Sequence, residues 1–166
     1  MTVQKVYHKV YIEDFEEVDY HIIAIHTSLE DYRLAYFLNR DLEICLSKSN
    51  VDIQFQVKKG KTSFARFTFE DEKKVINWDL IQNKNEVVGV ENNAIQDLFS
   101  NTKNTFSSSA YLLSEFKKVD FFLKIENAAN EINVSELVSK INAIDNINMV
   151  YSIDKENIKS KNNLIF

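Results

Sequence analysis

The tripeptide Asp-Tyr-His at positions 19 to 21 is the arrangement in this sequence best suited to acid–base chemistry. Residues i and i+2 of a β-strand share a face, so the Asp19 carboxylate and the His21 imidazole would lie side by side. Such a carboxylate can hold the imidazole tautomer and raise its pKa, which suits a general base. A nucleophile is also needed, and Ser28 and Cys45 are better explained as a helix cap and a small buried hydrophobe. We therefore interpret Asp19 as a hydrogen-bond acceptor at the start of a strand.

Glu115 and Asp120 form a second acidic pair. Together with Asp19 they would serve a small hydrolase or transferase as general acid and base, provided that the carboxylates converge in one cleft. An aspartate at the start of a strand also accepts hydrogen bonds from neighbouring backbone N–H groups. We favour this structural role, and separate positions for the three carboxylates in the fold would support it.

The sequence predicts neither a metal site nor a cofactor site. Among His8, His21 and His26, positions 21 and 26 would face opposite sides of one strand, which is unsuitable for zinc. We interpret His26 as a hydrogen-bonded histidine at a strand end. The stretch KKGKTS resembles the end of a phosphate-binding loop, but such a loop needs a glycine five residues before Gly60, where Phe55 stands. A hairpin turn is the better interpretation.

The pattern Phe-x-x-Val-Asp-aromatic occurs twice, starting at Phe15 and at Phe116. Each copy precedes a strand that is followed by an amphipathic helix, and three alternating segments between them predict an antiparallel meander. This order predicts an α+β fold: a two-layer sandwich with a mostly antiparallel sheet and two main helices on one face. If the pattern marks a pseudo-repeat of a β-α unit, the strands at 18–27 and 119–125 are neighbours in that sheet.

Local signals indicate where the helices begin. Ser28 and Asp31 form a variant of the capping box for a first helix expected from 29 to about 39, which DLEICLSK would prolong as a second short helix. The second main helix is expected to be capped by Asn133 or Ser135. Both helices thus begin at residues that satisfy free backbone N–H groups.

The chain has 166 residues, 45% of them apolar and 27% charged, which is the composition of one ordinary globular domain. We expect a single α+β domain at 1–154, with a long surface excursion at about 91–109 that includes one helical turn at AIQDLF. A C-terminal tail at 155–166 is expected to pack on the domain. Residues 2–12 alternate like a strand but suit a short helix equally, so both interpretations stay open.

Composition also bears on location and on nucleic-acid binding. No apolar stretch approaches the ~20 residues of a membrane span, and the lone Cys45 suits a reducing, cytoplasmic location. The net charge of −5 argues against nucleic-acid partners, because their binding depends on clustered Lys and Arg. An RNA-processing role would need exposed aromatic residues, such as Phe64 or Trp78, beside a basic patch. That patch would consist of Lys58, Lys59, Lys61 and Arg66.

Charge patterning and the C-terminus favour contacts with protein. Glu16 and Glu17 in the first copy of the repeated pattern correspond to Lys117 and Lys118 in the second, and opposite charges can orient a protein partner or a second copy of the chain. The sequence ends in three apolar residues, Leu164, Ile165 and Phe166. They either return to the core or dock on a partner as a strand. We favour return to the core, because an exposed aromatic tail promotes aggregation.

The segment LLSEFKKVDFFLKI resembles the signature of an uncharacterised bacterial family named for its IPExxxVDY motif. Glu115, Val119 and Asp120 match the motif, and Leu113, Ser114 and Phe121 stand where the family has Ile, Pro and Tyr. YRLAYFLN, WDLIQNK and KSKNNLIF are similar too, so the resemblance spans nearly the whole chain. Phe121 lacks the Tyr hydroxyl that acid–base chemistry at this position would use. The resemblance implies no activity, because the family has none assigned.

These patterns favour an adaptor or regulatory protein-interaction module that binds a protein partner or a second copy of the chain. The small hydrolase or transferase with carboxylates near Asp19, Glu115 and Asp120 is the alternative. An RNA-processing accessory protein is a second alternative. Whether the chain catalyses a reaction is left open, with a non-catalytic role favoured.

Overall fold

The computed structural model describes residues 19–57, 60–90, 105–128 and 131–166. Three expectations lie outside these residues: the strand or helix at 2–12, the acidic pair Glu16 and Glu17, and the helical turn at AIQDLF.

Ten strands and two α-helices are present in the described residues. The helices are α1 (Asp31–Leu42) and α2 (Val134–Asn142). The strands are β1 (Tyr20–Thr27), β2 (Ser47–Lys48), β3 (Ile53–Val57), β4 (Gly60–Phe64), β5 (Arg66–Asp71), β6 (Ile76–Gln82), β7 (Lys84–Val90), β8 (Thr105–Tyr111), β9 (Phe121–Glu126) and β10 (Ile147–Ile153). Short 3₁₀ turns cover Ser114–Phe116, Lys155–Asn157 and Lys161–Leu164. Neither α-helix has the length and apolar character that crossing a membrane requires.

Six strands form the main sheet in the order β10-β1-β9-β6-β5-β2, and all neighbouring pairs are antiparallel. β1 pairs with β9 from Tyr20 opposite Glu126 to Ile25 opposite Phe121. The prediction that the two strands after the repeated pattern are neighbours is therefore confirmed. Both helices pack on one face of this sheet, so the predicted α+β fold with two helices on one face is confirmed as well.

The core between the helices and the sheet consists of alternate strand residues and one side of each helix. On β6 these residues are Ile76, Trp78 and Leu80, the side that the sequence predicts. The helices add Leu34 and Leu38 from α1, and Leu137 and Ile141 from α2. Their spacing of four residues places each pair on one face of its helix, so burial of that face holds the helix on the sheet.

A second core covers the opposite face of the sheet. The hairpins β3–β4 and β7–β8 and the segments after β8 and β10 pack there, with Phe64, Leu112 and Leu164 in the same cluster as Ile22 and Phe122 of the sheet. Because both faces of β1 are covered, its Ile-Ile-Ala-Ile run is buried without interruption. This second core, on the face of the sheet opposite the helices, was not predicted from the sequence.

The middle of the chain is not a single meander. β3 and β4 form a two-stranded sheet of their own, while β5 and β6 belong to the main sheet. The predicted strand SFARFTF is broken at Ala65, where the chain passes between the two sheets. The turn predicted in KKGKTS is confirmed, because Val57 pairs with Gly60 across the β3–β4 hairpin. Residues 105–109, expected in a surface excursion, pair with β7 as part of β8.

The predicted cap of the first helix is wrong, because α1 begins at Asp31, after Glu30, and not after Ser28. Thr27 orders the connection instead. Its Oγ1 accepts a hydrogen bond from the Leu29 N–H at 3.0 Å and donates to the Asn146 carbonyl at 2.7 Å. A tertiary contact thus replaces the local cap. The second cap is confirmed at Asn133, whose Oδ1 accepts the N–H groups of two residues in the first turn of α2.

The segment after α1 is not a second helix, and its cysteine is exposed, so the interpretation of Cys45 as buried is wrong. The Asn39 side chain donates to the Leu46 carbonyl at 2.9 Å and accepts the Leu46 N–H at 2.7 Å. This pair of bonds fixes the backbone so that Leu46 enters the core. The side chain of Cys45, which precedes Leu46, then faces solvent.

Candidate functional site

The three carboxylates expected from the sequence do not converge. Asp19 stands at the start of β1 and forms an ion pair with Lys155. Asp120 lies at the other end of the strand, where its Oδ2 accepts the Thr27 N–H at 2.9 Å. Eight residues of extended chain separate Asp19 from Thr27, which is about 26 Å. Glu115 lies at a third position in the fold, where it accepts hydrogen bonds from the C-terminal segment. The arrangement therefore disfavours a shared acid–base site.

The surroundings of Asp19 are dominated by its ion pair with Lys155. The hydrogen bond and the positive charge of Lys155 hold the pKa of Asp19 below its usual value, and His21 adds only a small electrostatic effect. His26 is half-buried, with its Nε2 atom 3.5 Å from the Tyr151 hydroxyl and its ring stacked on Tyr151 at 5.7 Å between centroids. These contacts are typical of side chains that hold strands together.

We expect Asp120→Asn to lower the free energy of unfolding by about 1–2 kcal/mol, because the charge that accepts the Thr27 N–H is lost. Asp19→Asn should cost less than about 1 kcal/mol, because Asp19 pairs with Lys155 at the surface, with 46% of its side chain exposed. Urea denaturation of the two variants measures the difference. An equal loss in both would contradict this assignment of roles.

Glu115 anchors the C-terminal segment. Its Oε1 accepts the N–H groups of Lys159 and Ser160 at 2.8 and 2.9 Å, and its Oε2 accepts the Ser160 hydroxyl at 3.0 Å. Burial alone would raise the pKa of Glu115, but these hydrogen bonds outweigh it and hold the pKa below 4.5. The carboxylate thus acts as a fixed acceptor for two successive backbone groups.

This anchor should make stability pH-dependent. Since the pKa of Glu115 is lower in the folded than in the unfolded protein, its contribution is present above pH 4.5 and is lost as the pH falls below that value. At pH 7 we expect Glu115→Gln to be less stable than wild type by about 1 kcal/mol. The difference should shrink between pH 5 and about pH 3 in urea denaturation series. A difference that stays constant over this range would contradict the role of the charge.

The remaining interaction candidates occupy different environments. Lys117 and Lys118 are exposed, and the Lys117 Nζ lies 5.9 Å from the centre of the Tyr111 ring. Leu164 is 1% exposed, whereas Ile165 is 78% and Phe166 is 41% exposed. The end of the described chain therefore has one anchored and two accessible apolar side chains.

A buried ionic cluster lies beneath this C-terminal segment. The Lys124 Nζ donates to the Leu164 carbonyl at 2.7 Å and pairs with Glu126, and Arg66 pairs with Asp79 at 2.9 Å. Both cations also lie against the Phe166 ring, at 4.8 and 4.3 Å from its centre. Burial raises the pKa of Asp79, while the hydrogen bond from Arg66 opposes this rise. Two positive and two negative charges balance, so the cluster positions the segment and leaves no net charge for a ligand.

The two aromatic residues named as examples for an RNA-binding patch are buried. Phe64 is 0% exposed and Trp78 is 7% exposed. Arg66 is engaged by Asp79. The two lysines at 58 and 59 lie outside the described residues.

The structure contains a cleft that the sequence did not indicate. It lies on the helix side of the sheet, between the end of α1, the first turns of α2 and the β5–β6 turn, and has a volume of about 260 Å³. Its apolar lining consists of Leu42, Ile44, Ile76, Trp78, Ile132 and Leu137. Its polar lining consists of Glu43, Asp71, Lys74, Glu131, Asn133, Glu136 and Lys140. The cleft thus combines an apolar interior with a charged rim.

Backbone geometry shapes two sides of the cleft. Glu43 ends α1 in the left-handed conformation, with φ of 55°. Val75 has φ of 57° in the turn between β5 and β6, an unusual conformation for a β-branched residue. This turn places Lys74 on the rim and Ile76 in the interior. Asp71 stabilises this turn, because its Oδ1 accepts hydrogen bonds from the N–H groups of Lys73 and Lys74.

The rim carries an excess of negative charge. Four carboxylates face two ammonium groups, and one pair is neutralised because Lys140 bonds to Glu136 at 2.9 Å. Asp71 accepts backbone hydrogen bonds but keeps its charge. For the side-chain carboxylates of Glu43 and Glu131 the described residues provide no hydrogen-bond or ion-pair partner. These two exposed carboxylates are therefore available to a ligand.

The cleft has the composition of a binding surface. The lining residues named above include no Ser, Thr, Cys or His. Among the described residues, no three His, Cys, Asp or Glu side chains are grouped so that they could hold a metal ion. What the cleft offers is apolar surface surrounded by acceptors.

A comparison with models of known protein families gives no match. Comparisons with curated proteins and with solved structures give no match either. The resemblance to the IPExxxVDY family therefore stays a prediction.

Proposed function

We propose that the protein is an adaptor or regulatory interaction module that binds a segment of a partner protein in the cleft between α1 and α2. The observation that carries this proposal is the combination of an apolar interior, which includes Trp78, with an accessible rim of carboxylates. Concave apolar surface provides affinity, while a few polar groups fix the orientation of the ligand.

The size of the cleft favours a protein segment over a free small molecule. Small-molecule pockets usually have volumes of about 300–1,000 Å³ and enclose most of the ligand. A cleft of 260 Å³ is large enough for one or two side chains of a longer segment. The remainder of the partner would lie across the rim, where it is solvated.

Partner capture with interior variants tests this function. The purified protein is used as bait after crosslinking in an extract, and bound proteins are quantified for wild type, Ile44→Asp and Ile132→Asp. Both residues line the cleft and are partly buried, so the new charges would disfavour apolar occupants. Val51→Asp is the matched control, because Val51 is 69% exposed and is not part of the lining.

We expect a partner that wild type and Val51→Asp capture equally and that both interior variants lose. Thermal melting of all four proteins shows whether the variants are folded. Retention of every partner by folded Ile44→Asp and Ile132→Asp protein would refute the cleft as the binding site.

A further inference from the structure

We infer that the cleft binds a lysine or arginine side chain of the partner segment, flanked by an apolar residue, with Glu43 and Glu131 as the acceptors of its cation. The inference rests on the proposed function of the cleft and names the chemistry of its ligand. It follows from the charge of the rim, the nature of the interior and the contacts already made by each charged group.

The charge of the rim selects a cation. With Glu136 paired to Lys140, the groups that remain are Asp71, Glu43, Glu131 and one lysine, Lys74. The whole chain also has a net charge of −5. An acidic or phosphorylated segment would meet repulsion at the rim, whereas a basic one would be attracted and oriented.

The interior suits the stem of a basic side chain. Lysine and arginine have three or four methylene groups that pack on apolar surface while the charged head stays in water. Ile44 and Ile132, which are partly buried, and Trp78, which is 7% exposed, provide such a surface directly inside the rim. A short acidic or polar side chain would leave this surface uncovered.

The two carboxylates stand on different elements, so a single cation between them would be held from two sides. Glu43 follows α1, and Glu131 precedes the cap of α2 at Asn133. Each carboxylate is exposed, so each contact is expected to contribute modestly, and removing both should weaken binding about tenfold. Binding should also weaken as salt is added.

Selection from a random displayed twelve-residue peptide library tests the inference. Wild-type protein is the target, and Ile44→Asn protein, in which the apolar surface is altered without a change of charge, removes sequences that bind elsewhere. We expect the remaining peptides to be enriched in Lys or Arg next to Leu, Ile or Phe. Trp78 is the single tryptophan of the chain, so its fluorescence reports binding of each synthesised peptide to the full protein.

The affinity of one selected peptide is then measured with its basic residue present and replaced by norleucine. The double variant Glu43→Gln, Glu131→Gln should bind the basic peptide about tenfold more weakly and the norleucine peptide unchanged. Glu70→Gln, Glu156→Gln is the matched control, since both residues are exposed and neither lines the cleft. This control should bind both peptides as wild type does.

The outcomes separate the inference from the function on which it rests. Peptides that depend on Ile44 but show no basic preference, or no loss with the double variant, would overturn the inference and leave the binding function intact. A library that yields no peptide dependent on Ile44 would overturn both.

Discussion

Replacement of Asn83 by alanine is expected to lower the free energy of unfolding by about 3–5 kcal/mol, a large part of the stability of a domain this size. Asn83 is 0% exposed and joins the main sheet to the segment between β8 and β9. Its Nδ2 donates to the Phe116 and Val119 carbonyls, and its Oδ1 accepts the Leu113 N–H, each at 2.9 Å. Alanine would leave the Val119 carbonyl and the Leu113 N–H without this partner, whereas the Phe116 carbonyl still accepts the Val119 N–H at 3.0 Å.

Urea denaturation at pH 7 measures this loss, with Asn142→Ala as the matched control on the exposed side of α2. The control should differ from wild type by less than about 1 kcal/mol. Asn83→Asp should not rescue stability, because a carboxylate cannot donate to the two carbonyl oxygens. A loss below about 1 kcal/mol for Asn83→Ala would mean that other groups or water satisfy this segment.

Removal of Leu164, Ile165 and Phe166 is expected to cost about 3–5 kcal/mol and to lower the melting temperature of the purified protein. Leu164 belongs to the second core, and its carbonyl accepts a hydrogen bond from the ammonium of Lys124, which is 5% exposed. Truncation therefore removes apolar burial and takes an acceptor from a buried cation.

The control for the truncation is Ile165→Ala, because Ile165 is 78% exposed and should contribute little. Replacing Lys124 by methionine in the truncated chain should restore part of the loss, since the buried ammonium, which keeps only Glu126 as an acceptor, is then absent. A truncated protein that melts like wild type but fails to capture its partner or a tagged second copy would instead identify the tail as a docking element.

The central strands and the helices could be predicted because their patterns are long and their neighbours are set by burial. The repeated Phe-x-x-Val-Asp pattern correctly indicated that β1 and β9 are adjacent. The alternation at Ile76, Trp78 and Leu80 indicated the helix-facing side of β6. Apolar periodicity carries this information directly, since it records which face of an element is buried.

The second core could not be predicted, because an alternating strand pattern does not say which sheet the strand joins. Ala65 and Asn83 are single residues between successive strands, and at both the chain passes between the main sheet and a hairpin. A polar residue at such a position is normally assigned to an exposed loop. Asn83 is buried because three backbone groups from a distant segment surround it, and such tertiary contacts leave no local signal.

The cleft was missed for a related reason. Its lining comes from three separate parts of the chain, at 42–44, 71–78 and 131–140. The rim residues are ordinary surface acids and lysines when they are considered in sequence. Only the packing of α1 against α2 brings Glu43 and Glu131 to one opening. The sequence patterns pointed to three other carboxylates, Asp19, Glu115 and Asp120. These form an ion pair or hydrogen bonds that hold segments of the fold together.

The strand order has a consequence for synthesis in the cell. β1 has four consecutive buried apolar residues from Ile22 to Ile25, yet both of its partners, β9 and β10, lie far downstream in the sequence. Roughly a hundred residues must be added after β1 before its first partner is complete, which takes about 5–20 s at the usual rate of translation. During that interval the nascent chain has an unpaired, aggregation-prone strand. Folding of the sheet is therefore a late event, and yield should depend on chaperones that bind the emerging N-terminal half.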